Sequence, residues 1–225
     1  CKCAFQTGIP SPKQHTLPRM EDQEQNDSEQ FEELIQGLID RDYGCCNNFI
    51  TLDTIKGLSN NIQRLNAAGK LKESGIGNQD NFLIDQAVRG DKINWIAGES
   101  TDPFEMIYLK KIDRFIKHLN TTCFTSIKSV ESHYASYEKF RFYKRHHDQF
   151  KQEKGRDFSI ILYLNVSWLE ADGGILSLYP VGKSQEDIAP LGGRMIFFRS
   201  SDMEHEVHAS NTRERNSIAG WLKNV

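Results

Sequence analysis

DFSIILYLNVSWLEADGGILSLYP, residues 157–180, decides the fold. Two runs rich in β-branched, aromatic and leucine side chains are parted by a stretch that ends in Asp172-Gly173-Gly174. Short apolar runs bounded by such turn residues read as strands. Gly173 and Gly174 read as the turn into the second strand, a backbone role. Outward in both directions the texture repeats: SIKSVESHYASY and FRFYKRH stand before the stretch, and GGRMIFFRS, EHEVHAS and RNSIAGWLK after it. The chain beyond Thr121 thus holds about seven or eight strands, a spacing that suits a double-sheet jelly roll or a barrel. No internal repeat of fixed period is present.

Upstream the periodicity changes from two to that of a helix. Phe31, Leu34, Ile35, Leu38 and Ile39 predict an amphipathic helix that starts at Ser28, with glutamates in its first turns and Gly44 just past its end. A second helix is predicted over 52–71 and a third over 103–119, each with an apolar stripe that reads as core packing. Residues 1–28 hold three of the six prolines and the polar run EDQEQNDS, too little apolar surface to offset ordering entropy, and read as a flexible tail. The chain opens on Cys, so its first segment reads as a tag, a processed end or part of a longer chain, with Met20 available as a start.

Composition excludes several classes. A length of 225 residues with 38% hydrophobic content supports one main domain, here 29–225, with helical support over 29–120 and a strand-rich core over 121–225. A net charge of -3 supplies no broad positive field, so no nucleic-acid partner is expected. No apolar run approaches the roughly 20 residues of a membrane span, so the chain is expected to be soluble, with no membrane partner. Five cysteines, two of them adjacent, form no disulfide framework and none of the paired spacings of a zinc site. A reducing, cytoplasmic location is expected.

The chemistry centres on RFYKRHHDQF, residues 141–150. On an extended strand residues two apart share a face, so His146 and Asp148 project together and His147 points away. Such a pair is by itself often a plain surface or core pair; with a third ligand it becomes the two-histidine, one-carboxylate triad that holds Fe(II) and leaves positions open. HEVHASNTRERNSIAGW, residues 205–221, offers His205 and His208, which are three apart and cannot both face inward on a strand. The same stretch carries Arg215, whose planar fork can grip a carboxylate. Iron and a buried arginine together ask for an anion that chelates at one end and meets the arginine at the other. A 2-oxo dicarboxylic acid fits.

HHD, SIILYLNVSW, DGGILSLYP, GGRMIFF, HEV and R-x-S-I-x-G-W follow one another in an order that resembles the 2-oxoglutarate and Fe(II)-dependent dioxygenases. More narrowly the chain is similar to the prolyl hydroxylase branch, which includes the hypoxia-inducible-factor prolyl hydroxylases and their bacterial relatives. The resemblance extends upstream to AVRGDKINWIAG, residues 87–98, and covers roughly 80–225. It implies an α+β chain in which a double-stranded β-helix (jelly roll) core in the C-terminal half is supported by N-terminal helices. It implies His146, Asp148 and His205 as the metal ligands, with His208 spare, and no catalytic group beyond the iron centre. It implies that Arg215 binds the far carboxylate of 2-oxoglutarate, that Tyr163 hydrogen-bonds the same group, that Tyr137 lies close to iron-bound water or cosubstrate and that Ile161 forms the cosubstrate's apolar wall. The family's Pro-Gly pair after that tyrosine is replaced here by Glu138-Lys139. At the substrate entrance it implies a paired Asp91 and Arg156, with Trp95 as a wall; the segments 150–157 and 89–99, charged connections beside a rigid barrel, are expected to form the mobile rims.

The implied reaction consumes O2 and 2-oxoglutarate, releases succinate and carbon dioxide, uses Fe(II), admits ascorbate as an accessory, and hydroxylates a prolyl residue of a protein at ring position four. Elongation factor Tu is the substrate among bacterial relatives and a transcription factor among animal ones. Competing readings are a same-fold dioxygenase acting on a free amino acid or other small molecule, a binding module that has lost the chemistry, and a cupin isomerase. The intact triad and Arg215 argue against the last two.

Overall fold

The computed structural model describes residues 20–75, 85–149 and 155–225. In chain order the elements are α1 (Met20–Arg41), β1 (Tyr43–Cys46), α2 (Leu52–Ala67), β2 (Lys72–Glu73), β3 (Asp91–Trp95), α3 (Pro103–Thr122), β4 (Ser129–Tyr137), β5 (Tyr143–His146), β6 (Arg156–Tyr163), β7 (Leu176–Tyr179), β8 (Glu186–Ile188), β9 (Met195–Arg199), β10 (Glu204–Val207) and β11 (Arg215–Lys223). Seven strands form one sheet in the order β1-β9-β6-β11-β4-β3-β2, and four form a second in the order β5-β10-β7-β8. The pairings within both sheets are antiparallel. This is the double-stranded β-helix core with helical support.

Strand β6 shows why the run at 159–163 is almost continuously apolar. Ile160 and Leu162 face the helices, in a core with Leu34, Leu58, Ile112 and Phe115. Ile161 and Tyr163 face the smaller sheet, in a second core with Leu176, Leu178 and Phe198. A strand buried on both faces has no polar side to show. The helices are set by their caps: the Thr51 hydroxyl accepts from the Thr54 amide, and the Asp102 carboxylate accepts from the amides of Phe104 and Glu105 ahead of Pro103 at the first helical position.

Several expectations change. Residues 20–28 belong to α1 and are not a tail; the part of that expectation covering 1–19 lies outside the described residues. The reason is tertiary: Asp27 is buried and its carboxylate meets Lys111 and Arg114 of α3, each at 2.7 Å. Ser28 is therefore interior to the helix and does not cap it. Beyond Arg41 the left-handed conformation falls on Asp42 (φ 70), while Gly44 lies in β1, where a Cβ would sit 2.2 Å from the carbonyl oxygen of Leu34. The region 29–120 is also not purely helical, since β1, β2 and β3 extend the larger sheet; strands of two to five residues carry too few alternations to be read from sequence. The same holds for the three-residue β8. Five of the eleven residues of the expected rim at 89–99 form strand β3, held in register by β4, so that part is not a loop. Of the other expected rim, 150–154 lies outside the described residues.

Candidate metal and oxo-acid site

The site lies between the sheets. His146 ends β5, Asp148 follows it at a bend, and His205 lies in β10 directly opposite His146 in register. The Nε2 atoms of His146 and His205 are each 3.6 Å from Asp148 Oδ1, and the ligand atoms of the three lie within 4.8 Å of one another. Both rings are fixed by backbone carbonyls: His146 Nδ1 is 2.7 Å from Lys144 O and His205 Nδ1 3.3 Å from Met203 O. A carbonyl only accepts, so each Nδ1 donates and each Nε2 lone pair is directed to the common centre.

The charge state suits a divalent cation. Burial pushes His205 down to about 4, with His146 adding to it, so this imidazole is neutral. Burial of Asp148 acts to raise its pKa but is outweighed by His205, His146 and the Ser159 hydroxyl, which hold the carboxyl well below its usual range. Neutral imidazole with an ionised carboxylate is the donor set of the two-histidine, one-carboxylate centre. The residues fit the metal. His208 is directed elsewhere, its Nε2 lying 2.7 Å from Ser177 Oγ. Among the described residues, no other group of three or more His, Cys, Asp or Glu clusters in this way.

Arg215 starts β11, paired with Tyr137 in β4, and alternation along β11 carries Ser217 and Ala219 toward the triad on the same wall. Its side chain is 1% exposed. Nε donates to Gly174 O at 2.8 Å and a terminal nitrogen lies 3.4 Å from the Tyr163 hydroxyl. The guanidinium carbon stands 5.3 Å from the Tyr137 ring centre and 4.9 Å from that of Tyr163. Gly174 must be glycine: its φ is 66° and a Cβ would stand 3.1 Å from Trp168 and 3.2 Å from Arg215. The turn seen in sequence as a backbone device thus also seats the arginine. Among the described residues no carboxylate pairs with Arg215. Ile161 and Tyr137 line the cleft between the arginine and the triad, and burial raises the Tyr137 phenol well above its usual value.

At the entrance one expectation is wrong. Asp91 does not pair with Arg156; its partner is Arg89, with contacts of 2.7 and 3.0 Å, because Asp91 opens β3 two residues after Arg89 and its carboxylate is fully buried there. Burial opposes ionisation of Asp91, but the Arg89 hydrogen bonds prevail and lower its pKa. Arg156 instead lies over the Trp221 ring at 3.8 Å, with Glu131 at 3.9 Å. Trp95 is 52% exposed, and its ring packs edge-on against His133 at 5.0 Å, outside the cleft wall. Three residues to which the sequence alone assigns no role touch the triad or its neighbours. Tyr143 stacks on His146 with ring centres 3.5 Å apart, Arg89 sits over Tyr143 at 4.7 Å, and Ser159 donates to Asp148. All three stand in the motifs that carry the resemblance or beside its ligands, but only the folded sheets bring them to the triad.

Residues 132–223 match the model of the 2OG-Fe(II) oxygenase superfamily. Over that stretch the chain is similar to this family. Among curated proteins it is similar to Egl nine homolog 1 of Homo sapiens, at 29% identity over 190 residues, covering 80% of this chain and 43% of that protein. The rat protein of the same name is 28% identical over 190 residues, covering 80% of this chain and 55% of its own length. The chain thus spans about half the length of the curated relatives it matches. Among solved structures it is similar to a Pseudomonas putida prolyl-4-hydroxylase, with TM-score 0.78 and 27% identity over 87% of this chain and 99% of that one. A Trichoplax adhaerens prolyl hydroxylase, solved with a hypoxia-inducible-factor oxygen-degradation-domain peptide, gives TM-score 0.80 and 25% identity over 92% of this chain and 94% of the other. The fold of this chain is therefore that of the prolyl hydroxylase structures.

Proposed function

We propose that the chain is a 2-oxoglutarate- and Fe(II)-dependent dioxygenase that hydroxylates a prolyl residue of a protein at ring position four. His146, Asp148 and His205 hold the metal. Arg215 takes the far carboxylate of 2-oxoglutarate, with the Tyr163 hydroxyl beside it, Tyr137 beneath the guanidinium and Ile161 on the apolar side. Bound Fe(II) and 2-oxoglutarate supply the oxidising chemistry that turns a C–H bond and O2 into an alcohol, with ascorbate as an accessory reductant. The chain's own work is to bind, orient and exclude water. Arg89, Asp91 and Arg156 shape the mouth through which the substrate enters, with Trp95 at its outer edge.

Arg215 is the observation that carries this reading. A guanidinium buried without an anion costs several kcal/mol, on the order of the effective penalty for a lone buried ion, and is retained where a ligand supplies the counter-charge. A cation centre and this arginine lining one cleft ask for a chelating dianion. Residues 29–225, together with the start of α1, act as one domain in a cytoplasmic setting. The protein substrate is a proline-bearing segment of a transcription factor like that of the Trichoplax complex, or of an elongation factor Tu-like protein.

The experiment is incubation of such proline peptides, and separately of free proline, with the chain, Fe(II), 2-oxoglutarate and O2, followed by mass spectrometry and succinate assay. Gain of one oxygen on a peptide proline, matched by succinate, is expected. Oxygen transfer to the free amino acid with none to any peptide would favour the small-molecule reading.

A further inference from the structure

Asp148 stands beyond the end of β5, so no ladder fixes its carboxylate. Its two oxygens have different neighbours. Oδ1 faces Nε2 of both His146 and His205 at 3.6 Å. Oδ2 lies 2.6 Å from the hydroxyl of Ser159, which in turn is 2.9 Å from the hydroxyl of Ser200. Ser159 comes from β6 and Ser200 immediately follows β9, strands that pair with each other, and both serines are buried. A hydroxyl carries one proton and an ionised carboxylate only accepts, so the polarity is fixed: Ser200 donates to Ser159, and Ser159 donates to Asp148 Oδ2. Donation from a neighbour makes the second hydroxyl a stronger donor.

We propose that Ser159, backed by Ser200, is a positioning residue that commits Asp148 to offer a single oxygen to the bound cation. Oδ2 is engaged by the hydroxyl pair and is kept from the metal. A carboxylate that bound through both oxygens would occupy a position that the chelating oxo acid needs. Both serines are anchored in the larger sheet, while His146 and His205 come from the smaller one. Ser159 therefore also ties the two sheets together at the ligand. The inference rests on the metal reading above and concerns only how its carboxylate is held.

The test uses Ser159→Ala, Ser159→Thr and Ser200→Ala in the full chain, with Mn(II) affinity from electron paramagnetic resonance and Co(II) visible absorption as readouts. Loss of a ligand's outer hydrogen-bond partner typically weakens metal binding about 10- to 100-fold. That loss is expected for Ser159→Ala, along with a changed Co(II) band as the second oxygen becomes free to join. Ser159→Thr keeps the hydroxyl and is expected to keep parental affinity and spectrum. Ser200→Ala is expected to show a smaller loss in the same direction. Parental affinity and spectrum in Ser159→Ala would overturn the assignment. If thermal unfolding shows that Ser159→Ala does not fold, Ser200→Ala decides, and unchanged Mn(II) affinity there overturns it equally. Failure of the parent chain to bind Mn(II) would remove the metal reading itself and this inference with it.

Discussion

Replacing Arg215 by methionine removes the one buried charge on which the oxo-acid reading depends. Methionine fills similar space and leaves Tyr137 and Tyr163 in place. In the parent, a far carboxylate would meet a guanidinium that is 1% exposed and already oriented by Gly174 O at 2.8 Å, so little ordering is left to be done on binding. Truncating one partner of a buried, hydrogen-bonded charge pair costs about 2–5 kcal/mol. At about 1.4 kcal/mol per tenfold, this is a loss of about 30-fold to about 4,000-fold in 2-oxoglutarate affinity. The ligand-free protein should respond differently. Removing an uncompensated buried guanidinium is favourable, and leaving Gly174 O without its donor costs about 1–3 kcal/mol, so the two largely offset. The assay is calorimetric titration of Mn(II)-loaded parent and variant with 2-oxoglutarate and with 2-oxopentanoate, which carries a methyl where the far carboxylate stands. The parent should prefer the dicarboxylate strongly, and the variant should bind the two acids almost alike. Equal preference in parent and variant would refute the reasoning, because a general loss of packing would weaken both acids together.

Other outcomes follow from the same geometry. His146→Ala and His205→Ala should abolish Mn(II) binding and 2-oxoglutarate turnover, whereas His208→Ala, which only loses a bond to Ser177, should keep most of both; the opposite ranking in a metal titration would overturn the ligand set. Tyr163→Phe removes a hydroxyl 3.4 Å from Arg215 and should weaken 2-oxoglutarate by about 1 kcal/mol, roughly fivefold, without changing metal affinity. His133, pushed down to about 4 by burial and then by Arg89, stays neutral when folded. The unfolded chain takes up that proton below roughly 6.5, so stability is intact above that pH and falls by on the order of 3 kcal/mol toward pH 4. Urea unfolding of His133→Met across this window should show a shallower pH slope than the parent, and parallel slopes would contradict it. Asp27→Ala strands Lys111 in a buried position and should cost about 3–5 kcal/mol, part of which Lys111→Met in the same chain should restore, as read by chemical denaturation.

The short strand-like runs from 129 to 223 and the apolar stripes of the three helices were enough to read a jelly roll or barrel backed by helices, because burial imposes such patterns, while the choice of the double-stranded β-helix came from the family resemblance. His146, Asp148, His205 and Arg215 were legible for a different reason: few side chains offer those donors, and their order along the chain is distinctive. What tertiary structure alone decided is which of several available side chains meet, a choice that no local pattern encodes. Asp27 draws residues that look like a tail into α1 by meeting Lys111 and Arg114, eighty or more positions away. Asp91 finds Arg89 and not Arg156 because β3 turns its carboxylate into the sheet beside its own near neighbour. The support of the site is likewise spatial: Tyr143 flattened on His146, Ser159 on Asp148, Gly174 O on Arg215. Sequence states which chemical groups are present and with what period. Whether two of them touch depends on which strands pair and in which register, and that is settled by the cooperative packing of the whole chain.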